Sequence, residues 1–270
     1  MIHERDSDNQ TGRGVRYADL TDIIDLALWA GYLLLAYGAE CQRVEETVYR
    51  LSTAFGCDGV EVFVATNAIQ LTVTSGGEFR TRIRRVHSLG VNMTTISAVS
   101  RLSRRVEQGE LDRAAVRSEL ERISSMPHHY NRWMVAAMVG LACAAFSRLF
   151  GGDWAVFGVT FLSSWVGMLV RQELARRHFN MVLVVFSAAF VTSLLASSAA
   201  LLHLSDHPEW AQAAAVLFLI PGVPLINAVG DLVKGHTVVG LARLTQAGMV
   251  VLSLALGLVL AIQITGVAGV

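Results

Sequence analysis

Pro221-Gly222-Val223-Pro224-Leu225-Ile226-Asn227-Ala228-Val229-Gly230-Asp231 interrupts an otherwise apolar span between Ala211 and Val233. Proline has no N–H and its ring clashes with the preceding turn, so two prolines at this spacing break a helix. In lipid such a break survives only where protein or a water-lined cavity satisfies the freed backbone groups. An Asn and an Asp just beyond it are costly there and point to a polar solute or ion.

Working outward, four further apolar stretches surround this one. The five run over about 133–150, 153–170, 180–203, 211–230 and 244–265, each close to the ~20 residues that cross a bilayer. The chain of 270 residues is 53% hydrophobic with a mean hydropathy of +0.47, outside the range of ordinary soluble proteins. Net charge is zero, but 16 of the 22 Arg and Lys lie at or before Arg132, and 17 of the 22 Asp and Glu at or before Glu121. A charged front half therefore precedes a membrane half.

The expected architecture is an α+β cytoplasmic domain followed by an all-α membrane bundle of five transmembrane helices, one of them broken. Residues 1–18 read as a disordered tail with no signal peptide, 19–132 as the front domain and 133–270 as the membrane domain. The loop with Arg171, Arg176 and Arg177 and the loop with Lys234 and Arg243 are basic, whereas His203–Trp210 has no Lys or Arg. The positive-inside rule places the front domain inside and the C-terminus outside. His128, His129, Tyr130 and Trp133 fall where an interfacial aromatic belt is expected.

In the front domain, Thr21 to Tyr37 and Glu40 to Phe55 read as helices, the second ended by Gly56. Val60–Ala65, Ala68–Thr74 and Glu78–Val86 alternate as strands of a meander, with Gly76-Gly77 as a hairpin turn and Arg80, Arg82 and Arg84 on one face. Polar helices near 92–108 and 112–124 follow. Ile23–Ala39 is ambiguous between a core helix and a sixth span; Asp25 favours the core. Ala136, Gly140 and Ala144, then Ala189, Ser193 and Ser197, and Gly257 with Ala261, recur every four residues, as helix contacts do in membranes.

Candidate chemistry sits in two places. Restarting a helix after Pro224 would turn free N–H groups and a positive dipole end into the bundle, a seat for a carboxylate shaped by Pro221, Gly222 and Pro224. Asn227 and Asp231 would share one face of it, Asn227 bonding a polar solute and Asp231 binding a proton, cation or amine. The alternative is a proline kink with Asp231 as an anchor at the membrane edge near Lys234. The second place is Gly38-Ala39-Glu40-Cys41-Gln42-Arg43-Val44-Glu45-Glu46, where Arg43 lies within helical reach of Glu40 and Glu46; it reads as a solvated face or a cytoplasmic site of Glu40, Arg43 and Glu45. Cys41, Cys57 and Cys143 are scattered and suggest neither disulfide nor metal site. GxSxG, HExxH, Walker and GxGxxG patterns are absent, so neither an enzyme nor a cofactor is expected, and any transport reads as ion-driven.

The two motifs together resemble the threonine/serine exporter family of bacterial inner-membrane proteins. Gly38-Ala39 with Arg43-Val44-Glu45 resembles its front-domain signature. Pro221-Gly222-Val223-Pro224-Leu225-Ile226-Asn227 with Asp231-Leu232 and Gly235, then Gly240-Leu241-Ala242-Arg243, resembles its membrane signature. Long members carry about twice as many spans, so this chain is similar to the front subunit of a split exporter of the succinate type. The resemblance implies a companion membrane subunit of about four to five helices, a small carboxylate substrate (a succinate-type dicarboxylate, or threonine and serine), and protons as the coupling ion. No nucleic-acid partner is expected. A membrane-anchored sensor or hydrolase seated in residues 19–130, or a structural partner of another transporter, are the competing readings.

Overall fold

The computed structural model describes residues 17–87, 90–126 and 130–267. Residues 1–16 of the expected tail and the His128-His129 pair lie outside them, while Tyr17 and Ala18, also expected in the tail, begin the first helix. The chain forms two compact units: Met1–Pro127 with Ile226–Arg243, and His128–Leu225 with Leu244–Val270.

In the first unit, α1 (Tyr17–Ala36) is the central helix. Leu20, Ile24, Leu26, Ala30, Leu34 and Leu35 are fully buried, so a helix apolar on nearly every side is a core helix here. Its acidic residues meet cations of its neighbours: Asp19 pairs with Arg113 at 2.8 Å, Asp22 with Arg117 and Asp25 with Arg82. Thus Asp25, which interrupts the apolar run, belongs to the side facing the sheet. Gly31 lets α2 (Cys41–Ala54) approach closely, since a Cβ there would stand 2.7 Å from Val48 Cγ2.

The sheet is an antiparallel meander of β1 (Gly59–Ala65), β2 (Ala68–Ser75) and β3 (Glu78–Arg85). Gly76 and Gly77 both have positive φ, as a two-residue type I′ turn requires. Register pairs Val62 with Leu71 and Leu71 with Arg82 on one face, and Phe63 with Gln70 and Gln70 with Ile83 on the other. The arginine face is the inner one. Arg80 donates to Thr21, Arg82 pairs with Asp25, and the Arg84 guanidinium lies 4.8 Å over the Tyr32 ring. Phe63, Phe79 and Ile83 face outward instead. Helices α3 (Met93–Glu107) and α4 (Arg113–Ser124) complete the layer, capped by Asn92 and Asp112.

The second unit holds α5 (Arg132–Leu149), α6 (Trp154–Arg176), α7 (Met181–Ala196), the single turn α8 (Ser198–Leu201) and α9 (Glu209–Ala215). Asn131, Asp153 and Asn180 cap α5, α6 and α7. A 3-10 turn (Leu217–Leu219) leads from α9 to α10 (Gly222–Val233), and α11 (Thr237–Thr265) ends the chain. Among the described residues, four helices are long and apolar enough to cross a membrane, or five if the segment from α9 to α10, bent by 61°, is one span.

Small residues mark close helix contacts, as expected. A Cβ on Gly140 would stand 2.9 Å from the Phe161 carbonyl of α6, and one on Gly257 would stand 2.5 Å from the Phe186 carbonyl of α7. Two placements differ from expectation. Helix α6 runs to Arg176, so Arg171 is inside a helix rather than in a loop, and Arg243 likewise lies within α11. The broken span restarts at Gly222, not after Pro224. Ile220 is extended, as a residue before proline tends to be, and Pro224 sits in the first turn of α10, where its missing N–H costs no helical bond.

Candidate functional site

The loop Tyr37–Glu40 joins α1 to α2 and turns on Gly38, whose φ of +88° and tight approach to the Gly90 carbonyl require glycine. Glu40 precedes α2 but makes no side-chain cap, so the first N–H groups of α2 need another acceptor. Asp231 supplies it. Its Oδ1 accepts the Cys41 N–H at 2.9 Å, bringing a carboxylate to the positive end of α2 from 190 residues away.

Asp231 is placed by a helical hairpin. Its helix α10 ends in a Schellman turn, in which the His236 N–H donates to the Asp231 carbonyl at 2.8 Å and the Gly235 N–H to the Leu232 carbonyl at 3.2 Å. Gly235, at φ +89°, then lets α11 fold back. Gly240 of α11 packs against Leu232 and the Ala228 carbonyl, where a Cβ would stand within 2.9 Å. The hairpin turns Arg243 onto Asp231: Arg243 Nη1 donates to Asp231 Oδ2 at 2.7 Å, and Nη2 donates to the Ala39 carbonyl at 3.1 Å. The Asp231 side chain is 0% exposed and that of Arg243 12%, so this pair is a desolvated, charge-assisted junction.

Around it lie three further ties. One helical turn before Asp231, Asn227 Nδ2 donates to the Gly38 carbonyl at 2.7 Å. Lys234 Nζ pairs with Glu40 Oε2 at 2.8 Å, and His236 Nε2 lies 3.6 Å from Glu45 Oε2. Burial raises the Glu45 carboxyl above its ordinary value, His236 offsets part of this, and Asp231 adds to it. Burial also pushes the Cys41 thiol up to about 12, with Arg243 opposing and Asp231 reinforcing the shift.

The structure therefore brings Glu40, Glu45, Asn227 and Asp231 together. Pro221 precedes α10, and Gly222 and Pro224 lie in its first turn. The ion pairs expected for Arg43 do not form among the described residues: Lys234 takes Glu40, Gln42 donates to Glu46 at 2.7 Å, and Arg43 is exposed. Sequence reasoning missed Arg243 and Lys234 as partners, having read Lys234 as a loop charge near Asp231 and Arg243 as a loop charge within the membrane signature. Their spacing from Asp231 was the available signal, since three residues to Lys234 and twelve to Arg243 bracket a glycine that reverses the chain. Among the described residues, no group of three His, Cys, Asp or Glu is placed to hold a metal ion.

At the break, α6 supplies the polar groups. Ser164 Oγ donates to the Ala215 carbonyl at 3.0 Å, and Arg171 Nη1 reaches the Phe218 carbonyl at 3.4 Å. Carbonyls near the end of the interrupted helix thus find donors on a neighbouring helix, as hydrocarbon surroundings demand.

The chain is similar to known proteins along most of its length. The family model ThrE, described as “Putative threonine/serine exporter”, matches residues 25–265. The chain is 40% identical to “Probable succinate transporter subunit YjjP” of Escherichia coli K12, over 90% of this chain and 95% of that protein. It is 24% identical to “Threonine/serine exporter” of Corynebacterium glutamicum, over 92% of this chain and 53% of that protein. It is 22% identical to “Probable threonine/serine exporter” of Mycobacterium tuberculosis, over 94% of this chain and 48% of that protein. No solved structure matches the chain.

Proposed function

The chain belongs to the threonine/serine exporter family, and from that premise we propose that it is one subunit of a secondary-active exporter of small carboxylate-bearing metabolites. It is a multi-pass membrane protein of the inner membrane. The observation that carries the proposal is the span bent by 61° at Pro221 inside a set of apolar helices. A broken helix exposes backbone groups where a solute can use them, which is how many secondary transporters build their sites.

Succinate, threonine and serine all carry a carboxylate, the group common to what the relatives' names specify. The similarity to a protein named a transporter subunit supports a companion subunit; in this reading the companion is a membrane protein of about four to five helices and protons are the coupling ion. Pro221 and Pro224 shape the break. Asn227 and Asp231 anchor α10 to the Gly38–Cys41 loop, and Glu40 and Glu45 complete that anchorage through Lys234 and His236. This tie between front segment and membrane hairpin supports a front domain that works with transport rather than as a separate sensor or hydrolase.

Arg176 ends α6 and Arg177 follows it, Lys234 lies between α10 and α11, and 203–210 lacks Lys and Arg. That bias supports a cytoplasmic front domain and an outside C-terminus. The test is to measure intracellular and extracellular succinate, threonine and serine in cells with and without this protein and its companion. Accumulation inside cells lacking it supports export; unchanged pools for all three solutes oppose it.

A further inference from the structure

We propose that Arg171 binds the carboxylate of the transported solute at the break in the α9–α10 span. The proposal rests on the exporter reading above and names the residue that recognises the substrate there.

Arg171 lies five residues before the end of α6, about 7.5 Å inside the helix at 1.5 Å per residue. Arg176 and Arg177 already supply the terminal charges, so the helix gains nothing topological from a third cation placed deeper. An arginine in an apolar span is costly unless a counter-charge or backbone acceptors meet it. Arg171 has no carboxylate partner among the described residues. The nearest acid on its helix, Glu173, is engaged by Arg132 at 3.3 Å and Arg177 at 3.1 Å. The one bond Arg171 makes, to the Phe218 carbonyl, is long and occupies one of its five N–H donors. The remaining planar fork suits a carboxylate.

The position is part of a polar seam. Thr160, Ser164, Gly167 and Arg171 follow one another at steps of four, three and four residues, so they share a face of α6. That face meets the broken span. Ser164 bonds Ala215, a Cβ on Gly167 would meet Thr192 of α7 first and stand 3.2 Å from Phe218 Cζ, and Arg171 bonds Phe218. Thr160, 0% exposed, has a hydroxyl with no partner among the described residues. Thr160 lies about 16 Å along α6 from Arg171 and extends the polar seam away from the break. Trp165 Nε1 and Gln172 Oε1, on the side of α6 that meets α5, are also without partners among the described residues.

A purely structural role, in which Arg171 only satisfies the freed Phe218 carbonyl, predicts lost protein and not altered recognition. The experiment is saturation kinetics of radiolabelled succinate transport in proteoliposomes holding the intact two-subunit complex. Its variants are Arg171→Gln and Arg171→Lys, with rates normalised to folded complex. Loss of a charge-assisted bidentate contact is expected to raise KM about 10- to 100-fold in Arg171→Gln, with little change in maximal rate. Arg171→Lys, which keeps a point charge but loses the fork, is expected between that variant and wild type. An unchanged KM in either variant, beside a saturable wild type, overturns the proposal and leaves the exporter reading intact. Should Arg171→Gln fail to fold, Arg171→Lys alone decides it. A wild-type complex that moves no succinate, threonine or serine overturns both.

Discussion

The Asp231 carboxylate accepts the Cys41 backbone N–H at 2.9 Å and so caps a helix that begins 190 residues earlier in the chain. With its second oxygen on Arg243, the side chain has both oxygens engaged and none exposed to water.

Breaking that junction from one side leaves an uncompensated buried charge. Arg243→Gln is expected to destabilise the protein by about 3–5 kcal/mol, because Asp231 keeps its charge without its cation. In the Asp231→Asn, Arg243→Gln double variant the cost is expected to be smaller than the sum of the single variants. Thermal unfolding in detergent across the four proteins measures the coupling; strict additivity would show that the pair does not act as a unit. Asp231→Asn also tests the proton-carrier role, since an anchor alone leaves efflux per folded molecule at the wild-type level, whereas a coupling acid does not.

Cys41 is buried and its thiol is held protonated, with a pKa of about 12. Only the thiolate is nucleophilic, so iodoacetamide at pH 8 is expected to spare Cys41 in the folded protein and to label it readily once denatured. Peptide mass spectrometry after timed labelling reads this directly. Labelling of native Cys41 at the rate of a free thiol would contradict the geometry.

Glu45 has a folded-state pKa raised by burial, against the opposing pull of His236. A raised carboxyl pKa means that the ionised form is disfavoured on folding. Its contribution is therefore complete below the unfolded value of 4.5 and is lost as pH rises through the folded value. Glu45→Gln is expected to gain stability relative to wild type at pH 7, with the gain vanishing towards pH 4. Urea unfolding at both pH values checks the sign; a variant less stable at pH 7 would show that the His236 contact outweighs burial.

Orientation is open to labelling because the three native cysteines are all buried. A Cys replacing Asp206, in the loop without Lys or Arg, is expected to react with an impermeant maleimide on intact cells. One replacing Arg177, exposed at the end of α6, is expected to react only after permeabilisation. The reverse pattern would invert the topology.

Much of the architecture was legible because it rests on local rules. The alternation of Val60, Val62 and Val64, the Gly76-Gly77 turn and the length of the apolar stretches each constrain backbone directly. What was not legible depends on pairing across the chain. Arg80, Arg82 and Arg84 resemble a solvated face, yet they turn inward because α1 offers Thr21, Asp25 and Tyr32. Pro224 resembles a second break, yet a proline in a first turn is helix-compatible, so Pro221 alone ends the preceding segment. Asp231 was singled out for its cost in an apolar span. That the Cys41 N–H and Arg243 meet that cost could not be read from spacing, because the hairpin at Gly235 and the loop at Gly38 must both form first.

Movement of carboxylate metabolites by this chain as part of a two-subunit exporter is read out by efflux from proteoliposomes. Vesicles holding the purified chain with its companion are loaded with radiolabelled succinate and given an imposed pH gradient. The predicted result is efflux that needs both subunits and the gradient, and that falls when Pro221 is replaced by Ala and the break is healed. Efflux indistinguishable from protein-free vesicles, with threonine and serine equally retained, would contradict it.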